Sequence, residues 1–180
     1  MSVEQILQKV AEWNCPHVVL TGGEPMIAPD LPVLTAALKK TGKHITIETA
    51  TTLPPGGIAC DLASLSPKLS NSTPPPEKDP AWAKKHEETR LRPEVIADWI
   101  KNYDYQLKFV VSSEKDLAEI KDLLLHLPPV PFGRVLLMPE GTESETLSSR
   151  APWLVEVCKR EGFRFCPRLQ IELFGHTRGT

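Results

Sequence analysis

The residues able to do chemistry gather in short polar clusters: Thr21-Gly22-Gly23-Glu24-Pro25, Glu48-Thr49, Ser66-Pro67-Lys68 and Met138-Pro139-Glu140-Gly141. Gln106 and Lys108 lie between them, and Arg168, Gln170 and Glu172 follow near the end. Adjacent glycines let a ligand approach the backbone closely, and Glu24 beside them can accept hydrogen bonds from an ammonium group. Ser66-Pro67-Lys68 offers a hydroxyl and a cation, suited to a carboxylate or a ribose. Neither a Gly-x-Gly-x-x-Gly turn nor a Walker lysine loop is present, so a zwitterionic, nucleoside-like ligand fits better than a phosphate-rich one.

Taken singly, each cluster also has a plainer explanation. Gly22-Gly23 can be a simple turn and Ser66-Pro67-Lys68 a simple loop, while Glu48 and Lys108 can be paired charges lining the inside of a sheet. His17, His44, His86 and His126 show no metal-binding spacing. Trp13, Trp82, Trp99 and Trp153 read as packing residues on helices. The clusters gain weight together, because each falls just after, or along, a predicted strand.

The elements that position them alternate. Ser2-x-x-Gln5 is a capping box opening an amphipathic helix that ends near Asn14. His17–Thr21 reads as a buried strand. Asp30 caps a second helix that stops at Gly42, and His44–Thr49 is the next strand. Ile58–Leu65 is a third strand candidate after the Pro54-Pro55-Gly56-Gly57 loop. The stretch from Ser66 to Arg92 is too long for a plain connection and is expected to be an insertion or lid loop, helical after Asp79-Pro80. Helix Glu94–Lys101, strand Tyr105–Val111, helix Glu114–Leu127, strand Arg134–Met138, a helix around Pro152 to Glu161, and a last strand from Phe165 or Leu169 to Phe174 complete the series. Six strands alternating with helices predict an α/β fold with a mostly parallel sheet, right-handed crossovers and ligand-binding residues at the C-terminal strand ends.

The 180 residues carry 21 Lys and Arg against 23 Asp and Glu, with 41% hydrophobic and 24% charged residues, which fits one globular domain over 1–180 and excludes a disordered or fibrous chain. No apolar run reaches the roughly 18 to 20 residues of a membrane span, the start lacks the marks of a signal peptide, and there is no basic excess for direct nucleic-acid binding. Cytoplasmic localisation is expected. Proline is high at 18 residues, concentrated in punctuating clusters between elements. Four cysteines, Cys15, Cys60, Cys158 and Cys166, show no Cys-x-x-Cys pair and read first as apolar residues of a reducing compartment.

Val18-Val19-Leu20-Thr21-Gly22-Gly23-Glu24-Pro25 resembles the radical S-adenosylmethionine (SAM) superfamily. With Glu48-Thr49, Leu65-Ser66-Pro67-Lys68, Leu107-Lys108-Phe109-Val110-Val111, Met138-Pro139-Glu140-Gly141 and the tail Arg178-Gly179-Thr180, the chain looks like the 7-carboxy-7-deazaguanine synthase family from Trp13 to Thr180. The resemblance implies SAM bound by Gly22, Gly23, Glu24, Glu48, Ser66, Pro67, Lys68, Met138, Pro139, Glu140 and Gly141. It implies a pterin substrate contacted by Thr21 and the Thr180 carboxylate, with Gln170 facing it from the last strand. No residue is singled out as catalytic. The implied reaction is conversion of 6-carboxy-5,6,7,8-tetrahydropterin to 7-carboxy-7-deazaguanine and ammonia, in queuosine and related 7-deazapurine biosynthesis, with a [4Fe-4S] cluster and Mg²⁺ as further cofactors.

One departure stands out. The family's Cys-x3-Cys-x2-Cys cluster loop is absent from this sequence, so no metal ligand is assigned to it. The expected fold is therefore a partial (β/α) barrel of the radical SAM type lacking the first βα unit, and the expectation is a truncated chain, inactive alone. The partners this reading allows are a separate N-terminal segment supplying the cluster loop and a second copy of the chain. Two alternatives stand beside it: a non-catalytic SAM- or pterin-binding module, and another radical SAM enzyme.

Overall fold

The computed structural model describes residues 1–177. One parallel sheet runs in the order β1-β2-β3-β4-β5-β6, with β1 His17–Leu20, β2 His44–Thr49, β3 Leu62–Leu65, β4 Tyr105–Val111, β5 Val135–Pro139 and β6 Arg164–Phe165. The helices are α1 Val3–Ala11, α2 Leu31–Lys40, α3 Pro80–Thr89, α4 Pro93–Asn102, α5 Glu114–Leu125, α6 Ser144–Glu161 and α7 Leu169–Phe174. The sheet is open, and the α/β partial-barrel expectation holds.

Strand side chains alternate, and the burial alternates with them. On β4, Tyr105, Leu107, Phe109 and Val111 are buried, while Gln106, Lys108 and Val110 between them are only partly covered. Register carries the apolar set across the sheet: Ile47 pairs Ala63, Leu65 pairs Leu107, and Phe109 pairs Leu137. That face packs against α2 through Leu31, Leu34 and Leu38, α4 through Val95, Ile96 and Trp99, α5 through Leu117, Ile120 and Leu123, and α6 through Leu154 and Val157. Residues three or four apart recur in each set, as a helix laying one stripe on a sheet requires. The opposite sheet face carries Glu48, Ser64, Gln106, Lys108 and Met138, and is the face on which a site can form.

The β2–β3 connection contains no helix, so its backbone is held from α4. Trp99, fully buried, donates its indole N–H to Leu53 O at 3.0 Å, Tyr103 donates its hydroxyl to Ile58 O at 3.0 Å, and Arg92 reaches Thr52 O at 3.1 Å.

Several boundaries differ from expectation. The first helix stops at Ala11, and the third strand occupies only Leu62–Leu65. α6 begins at Ser144 and runs through Pro152, because the polar stretch Ser144–Arg150 hides helical periodicity behind an interior proline. The last strand is only Arg164–Phe165, and the run expected to extend it to Phe174 is helical as α7. Leu169, Ile171 and Leu173 alternate like a strand, yet Leu169 and Leu173 also fall four apart, and a six-residue run does not separate the two periods. Gln170 therefore sits exposed on a helix and not on a strand. The 66–92 stretch contains a short 3₁₀ turn at Ser70–Ser72 and the expected helix α3, whose cap Asp79 accepts from Trp82 N at 2.9 Å.

Because Trp99 both fills the core and satisfies the β2–β3 loop, Trp99→Ala is expected to lower stability by about 3–5 kcal/mol, measured as a shift in urea unfolding midpoint. A loss below about 1 kcal/mol would mean that the loop is held by other contacts.

Candidate functional site

The C-terminal strand ends on the uncovered face bring the predicted clusters together. After β1, Thr21, Gly22 and Gly23 are exposed and lead into a 3₁₀ turn at Pro25–Ile27 that is capped by Glu24. A Cβ added at Gly22 or Gly23 would meet nothing within 4 Å, and neither glycine has a positive φ. Packing and backbone geometry within the described chain thus do not require glycine there.

The Glu24 carboxylate is fixed by uncharged donors. Thr49 Oγ1 donates to it at 2.8 and 2.9 Å, Ala50 N at 3.1 Å, Thr52 Oγ1 at 3.1 Å and Met26 N at 3.2 Å. Among the described residues no cation forms an ion pair with Glu24. All but Met26 N come from the end of β2 and the turn after it, whose central residue, Thr51, is buried and left-handed at φ 60. A β-branched side chain in that region is strained by about 1–3 kcal/mol, a cost held in place by Thr51 N donating to Thr49 Oγ1 at 2.9 Å.

One strand across, Glu48 reaches diagonally over β3 to Lys108 on β4, with Nζ and Oε1 2.5 Å apart. Gln106 Nε2 donates to Ser64 Oγ at 3.1 Å, in the row that the register shares with Glu48. Ser66 and Pro67 are buried at the end of β3, and Lys68 Nζ donates to Ser66 Oγ at 3.3 Å without an ion pair among the described residues. Burial is the largest influence holding the Lys68 ammonium below the ordinary lysine range, with Lys108 and Arg168 acting in the same direction and Glu48 and Glu24 opposing them. These five charges therefore share one electrostatic neighbourhood.

At the far side, Met138 lies on the same face, paired with Val110. Pro139 is buried and its carbonyl accepts from Arg168 Nε at 3.1 Å. Both the carboxylate and the carbonyl of Glu140 accept from Arg150 on α6. Gly141, at φ 144, packs so close to Thr146 and Leu147 that a Cβ would meet their side chains at 3.1 and 3.3 Å, so this glycine has a structural cause.

The arrangement thus unites Thr21 to Glu24, Glu48, Ser66 to Lys68 and Met138 to Gly141 at one edge. Gln170 is on α7, two residues beyond Arg168, and Thr180 lies outside the described residues. Sequence reasoning left unassigned the donors Thr49, Ala50 and Thr52, although the run Thr49-Ala50-Thr51-Thr52 after a strand was a signal for a donor-rich turn. Gln106 and Arg168 were visible as polar residues without a partner to define their roles, whereas the pairing of Glu48 with Lys108 was already readable as two opposite charges lining the sheet.

A zwitterion with its ammonium toward Glu24 and its carboxylate toward Lys68 and Ser66 suits this charge pattern. An iron-sulfur cluster does not suit it. Such a cluster needs thiolates converging on one point, whereas Cys158 is buried in the helix-side core, Cys60 lies partly buried before β3, Cys15 is exposed and Cys166 follows β6. Among the described residues no group of three His, Cys, Asp or Glu could hold a metal ion.

No family model matches the chain. It is 43% identical over 180 residues to the 7-carboxy-7-deazaguanine synthase of Rhodopirellula baltica, covering 99% of this chain and 69% of that protein. The 7-carboxy-7-deazaguanine synthase of Halobacterium salinarum is 39% identical over 184 residues, covering 97% of this chain and 71% of that protein. The crystal structure of QueE from Escherichia coli superposes with a TM-score of 0.65 at 24% identity, over 93% of this chain and 64% of that one, which shows a common fold. On identity and coverage together, the chain belongs to the 7-carboxy-7-deazaguanine synthase family.

Proposed function

We propose that this chain binds SAM and a pterin for the conversion of 6-carboxy-5,6,7,8-tetrahydropterin to 7-carboxy-7-deazaguanine and ammonia. The observation that supports it best is the pair of fixed opposite charges, Glu24 and Lys68, that have no ion partner among the described residues and face one open sheet. Glu24 takes the SAM ammonium, Lys68 with Ser66 takes its carboxylate, and Glu48 accepts from the sugar. The Met138–Gly141 backbone lies along the adenine. Thr21 and Gln170 meet the pterin, and the Thr180 carboxylate is assigned to it as well. Gly22 and Gly23 have open space where a ligand would need it, which accounts for glycine at positions where packing does not.

When bound, SAM is the source of the radical on which the family's chemistry depends. The described residues bind and orient, and they bring no set of thiolates together for the cluster. The cluster thiolates are assigned to a polypeptide segment other than these residues. β1, one of the two edge strands and carrying exposed Val19, offers a free edge at which such a segment adds a strand. No helix among the described residues is long and apolar enough to cross a membrane. Four free cysteines fit a reducing cytoplasm.

Calorimetry with SAM tests the binding assignment: Glu24→Gln and Lys68→Met should each weaken binding by about tenfold or more, as expected for a lost charge-assisted contact. No detectable binding by the unmodified chain would remove the assignment. Turnover is tested anaerobically with a Cys-x3-Cys-x2-Cys segment of a relative supplied, where SAM cleavage without a pterin-derived product would reject the substrate.

Alkaline pH provides a second measurement. With its pKa lowered by burial, Lys68 is charged and able to hold a carboxylate at low pH, and loses that ability as pH rises, earlier than an ordinary lysine. Lys68→Arg keeps its charge throughout, so the ratio of variant to wild-type SAM affinity should rise with pH. Taking the ratio cancels titration of SAM's own amino group, and a pH-independent ratio would contradict the contact.

The thiols should react in order of exposure. Burial pushes Cys158 up to about 11, and burial also raises Cys60 and Cys166. Near neutral pH a thiol reagent should label exposed Cys15 first and Cys158 only on unfolding, read by peptide mass spectrometry. Early labelling of Cys158 would contradict its core position.

A further inference from the structure

The excursion between β3 and α4 is closed at its base by one arginine. Lys68 N donates to Arg90 O at 3.3 Å, and Arg90 Nη1 returns to Lys68 O at 3.1 Å, so both backbone groups of Lys68 are held by the same residue. Arg90 Nη1 also reaches Glu119 Oε1 on α5 at 2.5 Å, and Arg90 Nε reaches Glu87 at 2.7 Å. Glu119 in turn accepts from Ser70 N at 3.0 Å and from Ser70 Oγ at 2.7 Å. Two points 20 residues apart in the chain, Ser70 and Arg90, thus meet on one helix carboxylate. The Arg90 and Glu119 side chains are only 13% and 20% exposed, which separates them from a solvent-screened surface pair.

We propose that Arg90 and Glu119 are positioning residues that hold Lys68 in place for the anionic group of the ligand, so that affinity at the sheet edge depends on a carboxylate of α5 that never touches the ligand. A lysine ammonium is a point charge on a flexible stem, and among the described residues the Lys68 ammonium hydrogen-bonds a side chain only at Ser66 Oγ, at 3.3 Å. Fixing the backbone beneath that stem removes freedom that binding would otherwise have to remove. The excursion is then anchored beside the site and carries Ser70 and α3 with it. This inference rests on the assignment of Lys68 to the SAM carboxylate.

The test is a double-mutant cycle read by SAM calorimetry, using wild type, Glu119→Gln, Lys68→Met and the double variant, with thermal midpoints recorded in parallel. If Glu119 acts through Lys68, Glu119→Gln should weaken SAM binding about fivefold in the wild-type background and less than about twofold once Lys68 is Met. Glu119→Asp, which keeps the charge, should recover part of the loss. A purely structural carboxylate would lower the thermal midpoint and weaken binding by the same factor in both backgrounds, which would overturn the proposal. So would unchanged affinity in Glu119→Gln. Should that variant fail to fold, Ser70→Ala removes only the hydroxyl bond to Glu119, and the same loss of effect in the Lys68→Met background is expected at smaller amplitude. Wild-type affinity in Lys68→Met would overturn the Lys68 assignment itself, an outcome distinct from an additive cycle, which would overturn the positioning role alone.

Discussion

A parallel sheet covered by helices on one face has to make its other face tolerable. Parallel strands are usually buried on both sides, and strict alternation sends every second side chain of this sheet away from the helices. The six strands meet that constraint by apolar continuity on one side and charge pairing on the other. Glu48 and Lys108 span β3 to neutralise each other, and Gln106 bonds Ser64 beneath that diagonal, in Glu48's own row. The pair adds little to stability, since buried ion pairs do little better than break even. It leaves the floor of the open face polar, filled and locally balanced, so the charges that remain unbalanced are those at the rim.

Those rim charges are arranged with a direction. The uncompensated anion, Glu24, stands at the β1–β2 side, and the cations Lys68 and Arg168 stand at the β3 and β5–β6 side. A ligand with charges of both signs is oriented by such a field before any individual hydrogen bond forms. The rigid supports differ on the two sides. Glu24 is fixed by neutral donors from a tight turn, and Lys68 by a backbone clamp, while the Arg150 contacts on Glu140 tie the end of β5 to α6.

How much of this could be read from the sequence follows physical range. β2 and β4 were legible to the residue because alternation over six and seven positions is unambiguous. The Ser2/Gln5 capping box was legible because its bonds are local. Motif clusters such as Gly22-Gly23-Glu24 and Ser66-Pro67-Lys68 announced a site because their residue types are unusual at strand ends. Most partnerships were illegible where the residues lie far apart in the chain: nothing local links Arg90 to Glu119 or Trp99 to Leu53, and Glu48 with Lys108 was readable only because both are charges placed along strands. The run Leu169–Phe174 misled because six residues satisfy both periods, and tertiary context chose the helix.

Thr51 carries a consequence of a different kind. It stands, buried and left-handed, between two of the donors that grip Glu24. Glycine would relieve that backbone strain, at the loss of a buried side chain whose hydroxyl donates to Ala50 O at 2.6 Å. The same relaxation would let the turn after β2 drift and loosen the carboxylate it surrounds. Backbone strain and recognition are therefore tied together at one residue, which keeps a costly conformation where that conformation holds the carboxylate in place.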